Sequence, residues 1–381
     1  MGNIVLIPAR GGSKGIKNKN ITNVAGNPLI YYVSYSAQKS KHTDKIYVGT
    51  DSEKIANVAM SFGFNKLQIY KRLKKNAADT SKTIDFVLEF VKKLEEDDVL
   101  ILIQATSPLT TSEDIDNAIN LYQSSDCDSL FSAVNADGFY WNKNGEPVLH
   151  DYKNRQRRQE YEPELLRENG AIYINKVKNI IKNKSLLSGK IRPFIMAPET
   201  KTEIDTYDDI YTIEKIFRQR IYKNFDFSNY KMLLCDCDGT MTDGGMYYSH
   251  DGELLKKFNT KDGFGLKEIK DRGYITGIIT GEISDIVKKR AEKLKITELH
   301  MGADDKLKIV KKIAKKYGIS LNQIIYIGDD MNDYEVIKSV GFGCATQNAV
   351  SKLKQIAKYV TKLSGGMGAV REVTDMVIYG S

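Results

Sequence analysis

Two aspartates stand two residues apart where a short apolar run ends. Residues 233–235 are followed by Asp236 and Asp238, and Gly239 comes next. Alternate residues of a strand share a face, so the carboxylates can converge only if the strand ends between them, and glycine permits that turn. Carboxylates at the C-terminal end of a strand can hold Mg²⁺ while one of them attacks a phosphoryl group. The pattern predicts a phosphoryl-transfer site, with a solvated Asp-rich turn as the alternative.

A second candidate site lies near the start of the chain, in a Gly-rich loop over residues 8–20. The loop follows an apolar run and carries Arg10, Lys14 and Lys19. Glycines let backbone N–H groups approach phosphate oxygens, and the cations neutralise them. The loop lacks the Gly-Lys-Ser/Thr spacing of a Walker A motif. It predicts a phosphate-binding loop of another kind, with a basic surface turn as the alternative.

Short apolar strands alternate with helical patterns around both loops, which predicts an α/β protein. In the first half we predict strands at 4–7, 46–48 and 99–103 and helices at 29–40, 52–62, 84–94 and 206–222. This alternation favours a parallel sheet with helices on both faces. In the second half, β-branched strands at 275–279 and 324–327 end beside polar residues. A short connector at 224–229 separates the predicted domains, 1–225 and 230–381.

Bulk composition is that of an ordinary soluble enzyme. At 381 residues, with 41% hydrophobic and 28% charged residues, the chain can form two or three domains with their own cores. It contains no apolar run of membrane-spanning length, and its first apolar segment is too short for a signal peptide. The four cysteines have neither zinc nor disulfide spacing. We therefore predict a cytoplasmic protein without membrane contact.

The formal net charge of +8 suits anionic substrates such as nucleotides and sugar phosphates. The lysines alternate with apolar positions in helical patterns, as on solvated helix faces, and form no basic stripe interleaved with aromatic residues. Nucleic-acid binding is the alternative that net charge alone supports, and we predict no nucleic-acid partner.

The second half resembles the haloacid dehalogenase (HAD) superfamily of aspartyl phosphatases. Four motifs occur in the order typical of that superfamily: the paired aspartates, Thr280-Gly281, Lys306 and residues 328–333. Within the superfamily, residues 230–381 are most similar to the branch of 3-deoxy-octulosonate-8-phosphate and nonulosonate-9-phosphate phosphatases. That branch also has motifs that resemble residues 242–244, 258–263 and 365–372 of this chain. The resemblance implies a HAD-like Rossmannoid domain. It implies the following roles: Asp236 as nucleophile, Asp238 as general acid and base, Thr280 and Lys306 as phosphate-binding groups, Asp333 as a partner of Lys306, and Asp236, the Asp238 carbonyl and Asp329 as Mg²⁺ ligands.

Glu282 stands where octulosonate-8-phosphate phosphatases usually have arginine. Together with Arg290 and Lys293 it resembles the substrate-selecting trio of the nonulosonate branch, and an ordinary charged helix face is the alternative. Members of the branch form tetramers in which the segment matching residues 365–372 approaches a neighbour's site. The resemblance therefore implies a homo-oligomer.

The first 220 residues resemble the CMP-sialate synthetases (acylneuraminate cytidylyltransferases). The resemblance rests on the Gly-rich loop, Arg72 and residues 79–81, 104–109, 157–159, 169–173 and 203–205. It implies a nucleotidyltransferase-type, Rossmann-like mixed sheet and dimer formation. It also implies three groups of ligands: Arg10, Ser13, Lys14, Lys19, Asn20, Arg72 and Ser81 for CTP; Gln104, Arg158, Tyr173 and Phe194 for the sugar acid; Glu203 and Asp205 for Mg²⁺.

Several positions depart from the family pattern. Ala105 replaces a usual proline, Thr110 a usual arginine, and Glu203 a usual aspartate, although Glu is also a hard oxygen ligand. The segment from Arg158 to Asn169 is one residue longer than usual and lacks the tyrosine expected near Leu166. These departures concern the sugar pocket, so they leave a different acceptor sugar open.

Together the two resemblances predict a bifunctional enzyme. Its C-terminal domain would hydrolyse a nonulosonate 9-phosphate, and its N-terminal domain would transfer CMP from CTP to the freed sugar acid. The C5 substituent, a hydroxyl in KDN or an N-acetyl group in Neu5Ac, stays open. Two alternatives are the same reactions on the eight-carbon acid Kdo, and a phosphatase-like domain that serves only assembly.

Overall fold

The computed structural model describes residues 2–12, 15–78, 81–136, 138–148, 150–154, 157, 165–224, 227–250 and 252–379. Two compact units account for the chain. The first comprises Met1–Thr22 and Pro28–Ile213, and the second comprises Asn23–Asn27 and Glu214–Ser381. We refer to them as the N-terminal and the C-terminal unit.

Strands and helices alternate over the first 224 residues. The strands are β1 (Asn3–Pro8), β2 (Asn23–Val24), β3 (Asn27–Pro28), β4 (Lys45–Thr50), β5 (Leu67–Lys71), β6 (Val99–Ile103), β7 (Ser129–Asn135), β8 (Tyr140–Trp141), β9 (Pro147–Val148), β10 (Leu166–Lys176) and β11 (Ile191–Ile195). The α-helices are α1 (Leu29–Lys39), α2 (Glu53–Met60), α3 (Thr83–Phe90), α4 (Ser112–Ser124), α5 (Val177–Asn183) and α6 (Tyr207–Asn224). The division between the two units falls within α6.

Seven of the described strands form one mixed sheet in the order β11-β7-β10-β6-β1-β4-β5. The pairs from β6 to β5 are parallel, whereas β10 runs antiparallel to both β6 and β7. The prediction of a wholly parallel sheet, which the alternation of strands and helices favours, is therefore wrong at β10. A strand that runs parallel to the strand before it needs a crossover connection. Between β7 and β10 the described chain instead contains the short β8–β9 hairpin. The mixed sheet that the family resemblance implies is confirmed.

Helices cover both faces of this sheet, as predicted. Side chains alternate along β1, so that Val5 and Ile7 pack in one buried cluster and Ile4 and Leu6 in another. The first cluster contains apolar residues of α1, α2 and α4, and the second contains those of α3 and α5. Both faces are buried, which explains the continuous apolar run of the central strand β6.

Most predicted elements of this unit are confirmed within a residue or two at each end. Ser52 caps α2 by accepting a hydrogen bond from the Ile55 N–H at 3.4 Å. The helix predicted at 84–94 is shorter than expected, because the α-helical part ends at Phe90 and Val91–Lys93 form a 3₁₀ turn.

The C-terminal unit continues the alternation. Its further strands are β12 (Met232–Cys235), β13 (Tyr247–Ser249), β14 (Gly252–Leu255), β15 (Ile275–Ile279), β16 (Glu298–His300), β17 (Ile324–Gly328), β18 (Phe342–Ala345) and β19 (Tyr359–Val360). Its further α-helices are α7 (Thr260–Asp271), α8 (Asp285–Leu294), α9 (Lys306–Tyr317), α10 (Tyr334–Ser339), α11 (Ser351–Ile356) and α12 (Ala369–Tyr379).

Six of these strands form a sheet in the order β16-β15-β12-β17-β18-β19, and every described pair in it is parallel. Leu233 and Cys235 face a cluster that includes α7, α8 and α12, while Met232 and Leu234 face α9, α10 and α11. The carboxyl ends of β15, β12 and β17 therefore meet at one edge, where α/β sheets place their sites. Across the described part of the chain, no helix combines the length and the apolar character that a membrane crossing requires.

Candidate active sites

Asp236 directly follows the buried strand β12, and its backbone is fixed by the neighbouring strand. Its N–H donates to the Ile327 carbonyl at 2.9 Å. The residue is 4% exposed, so its carboxylate lies almost entirely out of water. Burial, followed by the negative charge of Asp333, raises the pKa of Asp236, while Lys306 opposes that rise. A carboxylate at this position needs positive charge beside it in order to act as a nucleophile.

Lys306 supplies that charge from the first position of α9. Its Nζ lies 2.8 Å from Oδ1 of Asp236 and 2.7 Å from Oδ1 of Asp333. Asp333 is fully buried and also accepts hydrogen bonds from the Tyr326 hydroxyl at 2.7 Å and the Asp329 N–H at 3.0 Å. The ion pair between Lys306 and Asp333 that the HAD resemblance implies is thus present. Asp333 is occupied by these donors, which makes it a support for Lys306.

Asp329 follows β17, the strand beside β12, and approaches residues 236–240, which we call the nucleophile loop after the role that the resemblance implies for Asp236. Oxygen atoms of Asp236, Asp329 and Asp333 lie within 4.8 Å of one another. Gly239 has φ +83°, and a Cβ there would lie 2.0 Å from Oδ2 of Asp329, so only glycine lets that carboxylate come so close. Three acidic groups face one ammonium here, an excess of negative charge that a divalent cation would neutralise. Oxygen donors of this kind fit Mg²⁺.

Asp238 is bound on one side by a lysine that carries no predicted role. Lys256 follows β14, and its Nζ lies 2.6 Å from Oδ1 of Asp238 and 2.9 Å from Oε1 of Glu253. Although burial alone lowers the pKa of Lys256, its hydrogen bonds to Asp238 and Glu253 raise it overall. The Thr242 hydroxyl also donates to Oδ1 of Asp238, at 3.3 Å.

Thr280 lies at the end of β15, on the other side of β12 from β17. It is 1% exposed, and its N–H donates to the His300 carbonyl at 2.9 Å. Its hydroxyl accepts a hydrogen bond from the Glu282 N–H at 3.3 Å. The three parallel strands therefore bring Asp236, Thr280 and Asp329 to one edge of the sheet.

The predicted substrate-selecting residues separate into two places. Arg290 and Lys293 lie one turn apart on α8 and line a cavity of about 470 Å³ that also contains Lys267 and Lys270 of α7. The Arg290 guanidinium donates to the Asn259 carbonyl at 3.3 Å. Glu282 is exposed in the loop before α8 and is not among the described residues that line this cavity.

The Gly-rich segment before α12 packs against the nucleophile loop of its own chain. The Gly366 N–H donates to the Thr240 carbonyl at 3.0 Å, and Asn348 bridges the Gly239 carbonyl and the Gly365 N–H at 3.0 and 2.7 Å. The chain just before this Gly-rich segment is held by Glu372, whose carboxylate accepts hydrogen bonds from the N–H groups of residues 362 and 363.

In the N-terminal unit, the Gly-rich loop borders a cavity of about 450 Å³. Five of the seven predicted CTP ligands line it: Arg10, Lys19, Asn20, Arg72 and Ser81. The lining also includes the predicted sugar ligand Gln104, the predicted metal ligand Asp205, and Gly15 and Thr106. Arg72 is 6% exposed, and its guanidinium lies 4.3 Å from the centre of the Phe86 ring. Burial lowers the pKa of Arg72, with the nearby Asp51 opposing. Ser13, Lys14 and Arg158, which complete the predicted set, lie outside the described residues.

Of the two predicted metal ligands, Asp205 lines this cavity beside Lys19, and Glu203 contacts the lining residue Thr106. The Lys19 ammonium donates to Oδ1 of Asp205 at 2.9 Å and to the Ile204 carbonyl at 3.0 Å. Glu203 accepts a hydrogen bond from the Thr106 hydroxyl at 3.4 Å. Burial, and then the charge of Asp205, raise the pKa of Glu203. Two neighbouring carboxylates with one cation again fit a divalent metal ion.

The other predicted sugar ligands occupy neighbouring strands. Tyr173 lies on β10, and its hydroxyl donates to Glu168 of the same strand. Burial, followed by Glu168, raises the pKa of Tyr173. Phe194 lies on β11 and packs against the core of the unit. Among the described residues lining the cavity, Gln104 is present and these two aromatic residues are not.

Sequence reasoning missed three polar residues that contact the predicted ligands, Thr106, Glu168 and Lys256, and also Glu253, which contacts Lys256. Thr106 lies within the motif at 104–109, and Glu168 directly precedes the motif at 169–173, so both could have been found. Glu253 and Lys256 lie in no motif, and Asp238, the partner of Lys256, is 18 positions away. Only the fold brings them together.

Comparison with known proteins defines the class of each unit. The cytidylyltransferase family matches residues 4–231. The haloacid dehalogenase-like hydrolase family matches residues 283–371. The chain therefore combines a cytidylyltransferase domain with a HAD-like domain, and both recognitions made from the motifs are confirmed.

Individual relatives narrow the family. N-acylneuraminate cytidylyltransferase A of Danio rerio is 33% identical over 385 residues, covering 98% of this chain and 88% of that protein. The chain belongs to the N-acylneuraminate cytidylyltransferase family.

The C-terminal unit has relatives of its own. The 3-deoxy-D-manno-octulosonate 8-phosphate phosphatase KdsC of Yersinia pestis is 39% identical over 151 residues, covering 40% of this chain and 81% of that protein. The HAD-like domain is thus related to the KdsC phosphatases. The crystal structure of the corresponding phosphatase of Moraxella catarrhalis, with magnesium, phosphate and KDO, is 36% identical, with a TM-score of 0.41 over 43% of this chain and 92% of that one.

Proposed function

We propose that this chain is a bifunctional enzyme of sugar-acid activation. The C-terminal unit hydrolyses a nonulosonate 9-phosphate, with KDN 9-phosphate and Neu5Ac 9-phosphate as the candidates. The N-terminal unit then transfers CMP from CTP to the free sugar acid and releases pyrophosphate. The observation that carries the proposal is the cluster of Asp236, Lys306, Asp329 and Asp333, since a domain that serves only assembly has no need for three ionisable groups around one buried carboxylate.

In the phosphatase reaction, Asp236 attacks the phosphorus, the bond to the sugar oxygen breaks, and an aspartyl phosphate forms. Asp238 gives a proton to the leaving sugar oxygen and later takes one from the attacking water. Lys306 and Thr280 stabilise the charge on the phosphoryl oxygens. The hydrolysis returns Asp236 to its carboxylate form and releases inorganic phosphate.

In the cytidylyltransferase reaction, the anomeric hydroxyl of the sugar acid attacks the α-phosphorus of CTP. Arg10, Lys19 and Arg72 surround the cavity and offset the charge of the triphosphate. Since charge builds on the departing pyrophosphate, these cations act where they are needed most. Arg158, suited to pair with the C1 carboxylate of the sugar, completes the proposed site.

Mg²⁺ is the proposed metal at both sites. The residues that would hold it are Asp236, Asp329 and the Asp238 carbonyl in one unit, and Glu203 and Asp205 in the other. When bound, it would neutralise the phosphoryl oxygens and orient them for in-line displacement. No organic cofactor is required by either reaction.

A second candidate substrate pair is Kdo 8-phosphate and Kdo. It is favoured by one observation, the 39% identity of the C-terminal unit to an octulosonate 8-phosphate phosphatase. A relative that covers 98% of this chain is instead an N-acylneuraminate cytidylyltransferase. Glu282, where the octulosonate branch usually has arginine, also favours the nine-carbon substrate.

The two candidates are separated by measuring phosphate release from KDN 9-phosphate, Neu5Ac 9-phosphate and Kdo 8-phosphate in the presence of MgCl₂. Pyrophosphate release from CTP is measured in parallel with each free sugar acid. Asp236→Asn of the full chain serves as the blank, because it removes the nucleophile and leaves the CTP cavity unchanged.

We expect a nine-carbon phosphate to be hydrolysed, the blank to lose that activity, and CMP transfer to be equal in both proteins. Turnover confined to Kdo 8-phosphate and Kdo would replace the proposed substrates. CMP transfer without hydrolysis of any phosphate would mean that the C-terminal unit has no such phosphatase function.

A further inference from the structure

Lys256 is a buried cation that neither domain motif accounts for. Its side chain has no exposure to solvent, and its ammonium lies between Asp238 Oδ1 at 2.6 Å and Glu253 Oε1 at 2.9 Å. A buried ammonium is costly unless it is paired and hydrogen-bonded, and these two carboxylates satisfy that condition. One of its two partners is the proposed general acid and base. The lysine is thus placed to act on catalysis through Asp238.

The contacts make the two oxygens of Asp238 unequal. Oδ1 accepts hydrogen bonds from Lys256 and from the Thr242 hydroxyl. Oδ2 is buried and has no hydrogen-bond partner among the described residues. A protonated carboxyl group carries its proton on one oxygen only, and an oxygen that already faces an ammonium is the poorer place for it. Oδ2 is therefore the oxygen that can hold a proton.

A second layer holds Lys256 in place. The other oxygen of its partner Glu253 accepts a hydrogen bond from the Ser284 hydroxyl. Ser284 is itself the N-cap of α8 and accepts a hydrogen bond from the Val287 N–H at 3.2 Å. The ammonium is thus fixed to the start of a helix that packs in the core. Its position does not depend on the exposed hairpin of β13 and β14 alone.

We propose that Lys256 is a positioning residue that fixes Asp238 with Oδ2 toward the leaving oxygen of the substrate. The proposal rests on the proposed phosphatase function. As the Asp236 oxygen bonds to phosphorus and the phosphorus–oxygen bond of the ester breaks, the proton on Oδ2 passes to the sugar oxygen. Water then attacks the aspartyl phosphate, its proton passes to Oδ2, and phosphate and the Asp236 carboxylate are released.

The test compares two leaving groups in wild type and Lys256→Met. A sugar alkoxide leaves only with a proton, whereas p-nitrophenolate leaves without one. We expect kcat/KM for the sugar phosphate to fall by about 10²-fold or more, the usual contribution of a general acid, and that for p-nitrophenyl phosphate to fall less than about tenfold. The ratio kcat/KM is used because it reports the steps up to aspartyl-phosphate formation.

Two further proteins distinguish positioning from mere stability. Lys257→Met is the matched control, since Lys257 is the next residue, is 58% exposed at its side chain and pairs with Asp243 on the surface. Its expected activity on both substrates is that of wild type. Adding Lys256→Met to Asp238→Asn should cost the sugar-phosphate reaction less than about threefold more, because residues that act as a unit are not additive.

Equal losses on the two substrates would overturn the positioning role, as would a Lys256→Met protein with unchanged kcat/KM. A full additional loss in the double variant would overturn it as well. If wild type hydrolyses neither substrate, the proposed phosphatase function itself is wrong and the role of Lys256 falls with it. These failures differ, because only the last one is seen without any substitution.

Discussion

The ammonium of Lys306 lies 2.8 Å from Oδ1 of Asp236, and the two side chains are 0% and 6% exposed. Asp333 holds the same ammonium from the other side at 2.7 Å. The lysine therefore balances two buried carboxylates at once. Both the stability of the C-terminal unit and the reactivity of its nucleophile should depend on it.

Replacing Lys306 by methionine should lower the free energy of unfolding of the C-terminal unit by about 3–5 kcal/mol near pH 9, where Asp236 is ionised. The reason is that Asp236 and Asp333 lose their counter-charge in a buried site. The measurement is denaturant unfolding without added metal, followed by circular dichroism. Lys308→Met, an exposed position on the same helix, is the control and should change stability by less than about 0.5 kcal/mol.

The loss of stability caused by Lys306→Met should be smaller at lower pH. Burial alone lowers the pKa of Lys306, but Asp333 and Asp236 outweigh it and raise the pKa, so the lysine stays charged through the neutral range. Burial and Asp333 raise the pKa of Asp236 to about 8, so this carboxylate takes up a proton as the pH falls through that value, and the ion pair weakens. The variant should thus lose less stability at pH 6 than at pH 9. An equal or greater loss at pH 6 would contradict this account.

Asp329→Asn should raise the Mg²⁺ concentration for half-maximal phosphatase activity by at least about tenfold. The substitution replaces one of the two proposed carboxylate ligands by a neutral amide and so removes half of the charge facing the metal, and losses of this size follow even from changes around metal ligands. The measurement is phosphate release over a MgCl₂ titration. The neighbouring Asp330→Asn is the control, because that residue is exposed and caps the following turn. Identical titrations for the two variants would mean that Asp329 does not bind the metal.

Lys19→Met should lower kcat/KM for CTP by about 10- to 100-fold and leave the phosphatase unchanged. Lys19 lines the CTP cavity and is held by Asp205, and a hydrogen bond to a charged group contributes about 1.5–3 kcal/mol. Pyrophosphate release at saturating sugar acid measures the effect. Lys17→Met, an exposed lysine of the same loop, is the matched control. A similar small effect in both variants would show that general positive charge, and not Lys19, supports CTP binding.

The sequence was sufficient to predict features that depend on local patterns. The buried strands β1 and β6 have apolar runs that no other element fits, and Asp236 could be placed at a strand end because Gly239 follows so closely. The antiparallel direction of β10 could not be predicted from alternation, since direction is set by how the chain returns from β7. That return depends on pairing between strands and not on any residue within β10.

Long-range contacts explain what was missed at the sites. Asp238 and Lys256 are 18 positions apart along the chain, and each belongs to an ordinary local pattern, a turn and the end of a hairpin. Their ion pair exists only because the hairpin of β13 and β14 folds back over the nucleophile loop. Arg290 and Lys293 were correctly placed on one helix face, because spacing along a helix is a local property. The location of Glu282 away from their cavity is not a local property, so spacing along the chain did not predict it.

Gly365→Ala should impair the phosphatase while CMP transfer stays unchanged. A Cβ at Gly365 would lie 1.8 Å from the Gly239 carbonyl oxygen, so the backbone of the nucleophile loop must shift to admit it. A displacement of about 1 Å at reacting groups can cost about 10²-fold in rate, and overpacking of this kind typically costs about 1–3 kcal/mol of stability. Phosphate release and denaturant unfolding measure the two effects. Met367→Ala, in the same segment but 55% exposed, should behave like wild type in both. Full phosphatase activity in Gly365→Ala would show that the Gly-rich segment does not pack on the nucleophile loop during catalysis.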